Sequence, residues 1–231
     1  MSPYDPAKFE SLCTQRTLME TGQVMQTTFT RLMLKHAAER PTAPALREKI
    51  YGIWQPTSWA ELAVLVKSLA CGLHQAGLQR GEHLIVVGSN RPRLYATMLA
   101  AQSLGAIPVP LYQDAAAAEC VFPITNAEVR FAVVEDQEQV DKMLEVREQC
   151  PQLAHIFYDN PRGLRKYTED GLGSLDELIA AGAVFAQQHP QFFNEEAEKA
   201  NYDDVAAMFF TSGTPGNRTG VVHTRGSLVY R

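Results

Sequence analysis

The 231-residue sequence lacks an apolar run that approaches the roughly 18 residues needed to cross a membrane. It also lacks an excess of positive charge, because 21 Lys and Arg stand against 26 Asp and Glu, for a net charge of −5. A nucleic-acid-binding domain needs a basic surface for phosphate contacts, so this balance argues against that class. Residues 1–16 lack the charged segment and apolar core of a secretory signal, which predicts a cytoplasmic protein and leaves peripheral membrane contact open.

Cysteine and histidine are few and widely spaced. The four cysteines are Cys13, Cys71, Cys120 and Cys150, and none belongs to a C-x-x-C pair. The six histidines likewise show no spacing typical of metal ligands. We therefore expect free thiols and no structural metal site.

The composition is that of an ordinary globular domain, with 45% hydrophobic and 20% charged residues. Short apolar runs at 84–87, 131–134, 155–158 and 205–210 are typical of buried strands. Helical patterns separate them, and such alternation predicts an α/β fold of mostly parallel sheets flanked by helices. The predicted helices cover 32–40, 59–76, 92–104, 137–147 and 175–186, with a further one beginning at 115.

Local signals mark several boundaries. Ser58 and Glu61 form a capping box at the start of the second helix. Residues 45–53 predict a hairpin, and Pro123 is expected to disturb the end of the helix that begins at 115. Residues 187–202 are polar and acidic, which predicts a surface connection.

The densest group of glycines and hydroxyls is TSGTPGNRTG, residues 211–220, which follows the last apolar run. Backbone N–H groups and side-chain oxygens in such a loop suit a phosphate, and ligands of open parallel sheets bind beyond the carboxyl ends of strands. The loop has no Walker A lysine, and its glycine spacing is not that of a Rossmann motif. An ordinary turn between two strands is the structural alternative.

Four further segments are REKIYGIWQPTSWAEL (47–62), GLQRGEHLIVVGSNRP (77–92), GAIPVPLYQD (105–114) and AEVRFAVVED (127–136). With the loop, their order and spacing resemble the AMP-forming acyl-CoA synthetases of the ANL adenylating superfamily, and most of all the bacterial long-chain fatty acid–CoA ligases. The resemblance implies an N-terminal extension over 1–28. It also implies a partial AMP-binding domain over 29–231 that stops just after the phosphate loop.

Membership of this family implies a two-step ligation. A fatty acid carboxylate attacks the α-phosphate of ATP, and the thiol of coenzyme A then displaces AMP from the acyl-adenylate. ATP, Mg²⁺ and coenzyme A are the implied cofactors and co-substrates, and the loop would hold the phosphates of ATP. Matched to the family signature T-S-G-T-T-G-x-P-K-G, the residues expected to bind ATP are Thr211, Ser212, Gly213, Thr214, Gly216 and Gly220.

The chain departs from the family where the chemistry is most demanding. Pro215 stands for a threonine, Arg218 for the proline, Thr219 for the lysine and Arg225 for a histidine. Loss of one positioned charge at such a site costs about 2–4 kcal/mol, or roughly 10²–10³ in rate. The family's later motifs for Mg²⁺, ribose and adenylation would lie beyond Arg231. We therefore expect the chain alone to be inactive, and we assign no catalytic or metal-binding residue.

Two alternatives remain open at this point. The first is a binding module that holds a nucleotide or an acyl ligand, or associates with a full-length relative, without catalysis. The second is an unrelated flavodoxin-like α/β domain whose last loop is a plain turn. ATP binding without acyl-adenylate formation would favour the first, and a loop tolerant of substitution would favour the second.

Overall fold

The computed structural model describes residues 27–211 and 219–229. The helices are α1 (Phe29–Glu39), α2 (Trp59–Gln75), α3 (Pro92–Ser103), α4 (Ala117–Asn126), α5 (Gln137–Glu145), α6 (Leu175–Gln188), α7 (Phe192–Glu198) and α8 (Arg225–Val229). The strands are β1 (Pro44–Ile50), β2 (Ile53–Ser58), β3 (His83–Val87), β4 (Ile107–Leu111), β5 (Phe131–Val134), β6 (His155–Tyr158), β7 (Leu172–Ser174), β8 (Val205–Phe210) and β9 (Gly220–Thr224).

A five-stranded parallel sheet in the order β4-β3-β5-β6-β7 forms the centre of the fold. The central strands β3 and β5 are buried along nearly their whole length because helices cover both faces, and this is why they are continuous apolar runs. The predicted α/β class, with a mostly parallel sheet flanked by helices, is therefore confirmed.

Alternate side chains of the strands enter two separate cores. Leu84, Val86 and Phe131 pack on the side covered by α1, α2, α3, α6 and α7. Ile85 and Val87 pack on the opposite side, against α4 and α5. The sheet thus separates two apolar layers, as the period of two in a strand requires.

Helices α2 and α6 approach unusually closely. A Cβ atom added to Gly72 would collide with the carbonyl oxygen of Leu178, and one added to Gly182 would collide with that of Ser68. Both obstacles are backbone atoms, so the helices would have to move apart. These glycines allow the contact of the two helices.

The local signals are largely confirmed. Ser58 N donates to Glu61 Oε2 at 2.8 Å and Glu61 N donates to Ser58 Oγ at 3.3 Å, which completes the capping box of α2. The predicted hairpin is the antiparallel pair β1–β2, whose turn residues Tyr51 and Gly52 have φ of 47° and 83°. Positive φ at both positions is typical of the tight turns that join hairpin strands.

Three expectations differ from the structure. Pro123 does not end its helix, because α4 continues to Asn126 and the Ala127 N–H donates to the Pro123 carbonyl at 3.1 Å. Residues 187–202 are more than a surface connection, since they include the end of α6 and all of α7, in which Phe193 is 1% exposed. The short strand β7 was not predicted.

The strand that leads into the predicted phosphate loop belongs to a separate two-stranded sheet. β8 pairs antiparallel with β9 and lies beside β4 at the edge of the parallel sheet. The loop therefore joins the two strands of a hairpin, and it does not follow a strand of the parallel sheet. Cys71 and Cys150 are buried free thiols, and Cys120 is buried as well. Within the described ranges, no helix is both long and apolar enough to cross a membrane.

Candidate functional site

Thr211 and Thr219 close the neck of the glycine-rich loop. Thr211 N donates to the Thr219 carbonyl at 3.2 Å, and Thr219 N donates to Thr211 Oγ1 at 3.4 Å. The hydroxyl predicted to bind ATP thus has a second task, which is to hold the two ends of the loop together. The other loop residues predicted for ATP lie outside the described residues: Ser212, Gly213, Thr214 and Gly216.

Gly220, the sixth predicted residue, opens β9 directly after the neck and pairs with Phe210. A Cβ at this position would collide with the terminal methyl of Met208 and would lie 3.4 Å from the Phe210 ring. A larger residue here would require the flexible Met208 side chain to move. The structure thus places two of the predicted residues side by side, Thr211 in the neck and Gly220 directly after it.

Arg225 anchors this hairpin to the rest of the fold. Its side chain is 3% exposed, and one terminal nitrogen donates to the Gln102 carbonyl at the end of α3 at 2.8 Å. The Gln102 side chain donates in turn to the Ala206 carbonyl at 2.8 Å, and the Arg225 N–H donates to the Asp204 carbonyl at 2.9 Å. The residue that departs from the family histidine thus links both strands of the hairpin to α3.

Several effects act in opposite directions on the pKa of the Arg225 guanidinium. Burial lowers the pKa of the Arg225 guanidinium, while the charge of Asp204 raises it and the neighbouring Arg80 and Arg31 lower it further. Asp204 Oδ2 lies 3.8 Å from Arg225 Nε, beyond hydrogen-bond distance. The carbonyl of Gln102 is thus the closest partner of the buried cation, at the negative end of the α3 dipole.

A recess of about 540 Å³ lies beside the hairpin, at the carboxyl ends of β3 and β4. Its polar side is the turn after β3, residues 88–90, and one wall is the segment 110–114, which comprises the end of β4 and the residues after it. Tyr95, Met98 and Phe209 supply apolar surface, and Phe209 is two residues before Thr211. The recess therefore adjoins the neck of the loop at the edge of the sheet where open parallel sheets bind ligands.

The turn after β3 is tightly held. Glu135 Oε2 accepts the Ser89 N–H at 2.5 Å, and Glu135 Oε1 accepts from Arg91 Nε at 2.8 Å. Burial raises the pKa of Glu135, but the hydrogen bonds from Ser89 and Arg91 outweigh it and leave the pKa below its ordinary value. A Cβ on Gly88 would lie 2.6 Å from Glu135 Cβ, so the turn needs a glycine for this close approach.

A second ion cluster holds the neighbouring strand ends. Arg93 Nε lies 3.0 Å from Asp159 Oδ1, and another Arg93 nitrogen donates to Asp176 at 2.6 Å. Burial raises the pKa of Asp159 and the Arg93 charge opposes that rise. The two clusters link the turns and helix starts that follow β3, β5, β6 and β7.

The described ranges bring no three histidine, cysteine or acidic side chains together in an arrangement that could hold a metal ion. Asp114 lines the recess, whereas the carboxylates of the two neighbouring ion clusters are engaged by arginines, Glu135 by Arg91 and Asp159 by Arg93. These residues therefore do not by themselves supply a Mg²⁺ site.

The sequence profile of the AMP-binding enzymes matches residues 33–231. The chain belongs to the AMP-binding enzyme family. It is 23% identical over 199 residues to the long-chain-fatty-acid–CoA ligase FadD15 of Mycobacterium bovis, a match that covers 86% of this chain and 31% of that protein. It is 28% identical over 192 residues to the human long-chain-fatty-acid–CoA ligase ACSBG2, covering 82% of this chain and 28% of that protein.

Solved structures of adenylating enzymes share the fold. The anthranilate CoA ligase AuaEII in complex with anthranoyl-AMP superposes with a TM-score of 0.72 at 18% identity, over 89% of this chain and 36% of that chain. The acetoacetyl-CoA synthetase from Streptomyces lividans also has a TM-score of 0.72, at 22% identity, over 89% and 31%. The chain thus spans about a third or less of the length of the curated relatives described above.

Membership of the AMP-binding family excludes the unrelated flavodoxin-like domain. It leaves ligase and binding-module functions to be separated by experiment. The lining of the recess was missed by sequence reasoning, although the segments GSNRP and PLYQD that form much of it carried the family resemblance. Both segments could have been found from their position, since each lies at the carboxyl end of a strand of the parallel sheet.

Proposed function

We propose that the chain supplies the N-terminal, nucleotide-binding part of an AMP-forming long-chain fatty acid–CoA ligase. The loop neck at Thr211 and Thr219, beside the recess at the carboxyl ends of β3 and β4, is the observation that carries the proposal. The long-chain ligases among the relatives support the choice of a fatty acid as substrate.

The reaction of the complete ligase has two balanced steps. A carboxylate oxygen forms a bond to the α-phosphorus of ATP. The bond between that phosphorus and the oxygen that bridges the α- and β-phosphates breaks, which releases pyrophosphate. The sulfur of coenzyme A then attacks the acyl carbon, AMP leaves, and the thiol proton is lost. Negative charge builds on the departing pyrophosphate in the first step, so positioned donors there accelerate the reaction.

The loop residues have distinct roles in this proposal. Thr211 keeps the neck closed through its hydroxyl, while Ser212, Gly213, Thr214 and Gly216 provide N–H and hydroxyl donors for phosphate oxygens. Gly220 lets β9 begin directly behind the loop. Mg²⁺, when bound with ATP, neutralises phosphate charge.

The apolar side of the recess suits an acyl chain. Tyr95, Met98 and Phe209 lie next to the neck, so a carboxylate directed toward the loop can leave its hydrocarbon tail against them. Burial of methylene groups is worth about 0.8 kcal/mol each, which favours long chains over short ones.

The altered loop predicts weak catalysis by this chain. Thr219 offers no cation, and Arg218 differs from lysine in length and geometry. A charged hydrogen bond is worth about 1.5–3 kcal/mol, so the loop should bind ATP roughly 10- to 100-fold less tightly than one with the family residues. We therefore propose nucleotide binding without measurable acyl-adenylate formation by the chain alone.

The test compares ATP binding and pyrophosphate release by the native chain and by the triple variant Pro215→Thr, Arg218→Pro, Thr219→Lys. Mg²⁺ and fatty acids of several lengths are present, and Thr219→Ala serves as the matched control without a new charge. Tighter ATP binding by the triple variant but not by the control supports the loop as the nucleotide site. Failure of both the native chain and the triple variant to bind ATP overturns it, and pyrophosphate release by the native chain overturns its inactivity.

A further inference from the structure

The outer half of the β1–β2 hairpin projects from the domain. Every residue from 49 to 55 is exposed, and four of them are large and apolar. Their exposed fractions are 42% for Ile50, 101% for Tyr51, 65% for Ile53 and 62% for Trp54. We call residues 50–54 the hairpin tip. A concentration of this kind marks an interaction surface.

Positive charge accompanies the tip. Arg47 and Lys49 lie on the same face of the hairpin as Trp54, because Lys49 is paired with Trp54 and Arg47 lies two residues before it. The Lys49 ammonium lies 5.9 Å from the centre of the Trp54 ring. Glu48, the acidic residue between them, is neutralised by Arg91 at 2.8 Å.

This local balance contrasts with the chain, whose net charge is −5. Among the residues described, Arg47 and Lys49 form no ion pair, so both charges are available to an external anion. A recess of about 550 Å³ lies on the same face, between Arg47, Trp54 and two prolines. Glu61 also borders this recess and stays ionised, because two hydrogen bonds from Ser58 lower its pKa, so the free positive charge of this face lies at Arg47 and Lys49.

We propose that the hairpin tip inserts into the interfacial layer of an anionic phospholipid bilayer, with Arg47 and Lys49 on the lipid phosphates. Tyrosine and tryptophan favour that layer because each combines an apolar ring with a polar group. A strand advances about 3.3 Å per residue, so the three residues from Lys49 to the turn reach roughly 10 Å. Interfacial elements are buried to about that depth.

The size of the tip favours a membrane over a protein partner. Four such side chains expose on the order of 400 Å² of apolar surface, about half of the roughly 800 Å² that each partner contributes to a stable protein interface. Insertion into lipid needs no complementary shape. This inference does not depend on nucleotide binding.

The test is binding of the full chain to phosphatidylcholine vesicles with and without phosphatidylglycerol, by co-sedimentation and by quenching with brominated lipids. Trp59→Phe leaves Trp54 as the single tryptophan for quenching. We expect binding only with phosphatidylglycerol, weakened by salt, and quenching of Trp54. The double variant Tyr51→Ser, Trp54→Ser should lower the partition coefficient by about tenfold or more, and Lys49→Glu should abolish the preference for anionic lipid.

Val64→Ser is the matched control, since Val64 is an exposed apolar residue on α2 away from the tip, and it should bind as the native chain does. Equal unfolding midpoints of all variants would show that the fold is retained. Absence of vesicle binding, or a tip variant that binds like the native chain, overturns the proposal. Self-association that is lost with the tip variant, without vesicle binding, also overturns it and identifies a second copy as the occupant.

Discussion

Replacement of Arg225 by alanine is expected to destabilise the β8–β9 hairpin and its attachment to α3. The change removes the hydrogen bond from the buried guanidinium to the Gln102 carbonyl and the favourable cation at the end of that helix. A hydrogen bond to a charged group contributes about 1.5–3 kcal/mol, and a cation at a helix C-terminus contributes up to about 2 kcal/mol in a partly buried site.

Opposing effects reduce that sum. The Gln102 carbonyl also accepts the Gly105 N–H at 3.0 Å, so it retains a partner, and removal of a buried charge relieves its desolvation. We expect a net loss of about 2–3 kcal/mol in the free energy of unfolding. Urea denaturation followed by circular dichroism measures this, and hydrogen exchange should increase first in β8 and β9.

Arg225→Met separates charge from packing, because methionine fills much of the same volume without a donor. It should recover part of the packing contribution but not the hydrogen bond. An Arg225→Met chain as stable as the native one would refute the electrostatic reasoning, and an Arg225→Ala chain within about 0.5 kcal/mol of native would refute the anchoring role itself.

Three further predictions concern packing and pH. Gly182→Ala should lower the free energy of unfolding, measured by heat or urea, by about 1–3 kcal/mol despite the better helix propensity of alanine. The exposed control Ala181→Gly should lower it by about 1 kcal/mol. A stabilised Gly182→Ala chain would contradict the close contact of the two helices. Because the pKa of Glu135 is lowered from 4.5, its ionised form stabilises the fold above pH 4.5, and this contribution is lost as the pH falls further. Glu135→Gln should lower the free energy of unfolding by about 1–3 kcal/mol at pH 7 and reduce the loss of stability at acidic pH. Burial, with Arg130 and Arg147, lowers the pKa of His155 from 6.5, so stability should decline as the pH falls below 6.5; His155→Phe should reduce that decline, and an unchanged slope would count against it.

The elements that could be predicted from the sequence are those that short-range patterns determine. Strands β5 and β6 begin and end at the predicted residues because each is a short apolar run bounded by polar residues. The start of α2 was predictable since both halves of its capping box lie within four residues of the chain. In each case the deciding signal is a contact between residues close in sequence or a local pattern of apolar residues.

The elements that were missed depend on contacts between distant parts of the chain. Gly182 reads as a weak point in a helix until its contact with α2 is known. α7 lies in a segment that is polar and acidic overall, and its docking depends on Phe193 and Ala197, which are buried, and on Phe192, which packs against the core. From the sequence, Arg225 was only a departure from the family histidine. Its hydrogen-bond partner in the structure, Gln102, is 123 residues away.

The candidate site combines both kinds of information, and this makes the loop experiment interpretable. The residues predicted to bind phosphate come from the sequence of the segment 211–220, whereas the neck and its anchor are seen only in the contacts of the structure. Thr219 contributes only its backbone N–H and carbonyl to the neck, and Thr219→Lys retains both. Pro215 and Arg218 lie between the two neck residues, and Arg225 lies beyond β9. The triple variant moves the positive charge of the loop from residue 218 to residue 219 without a change in net charge, and the hairpin should stay attached to α3. A change in ATP affinity without a change in unfolding free energy would therefore locate the nucleotide at the loop.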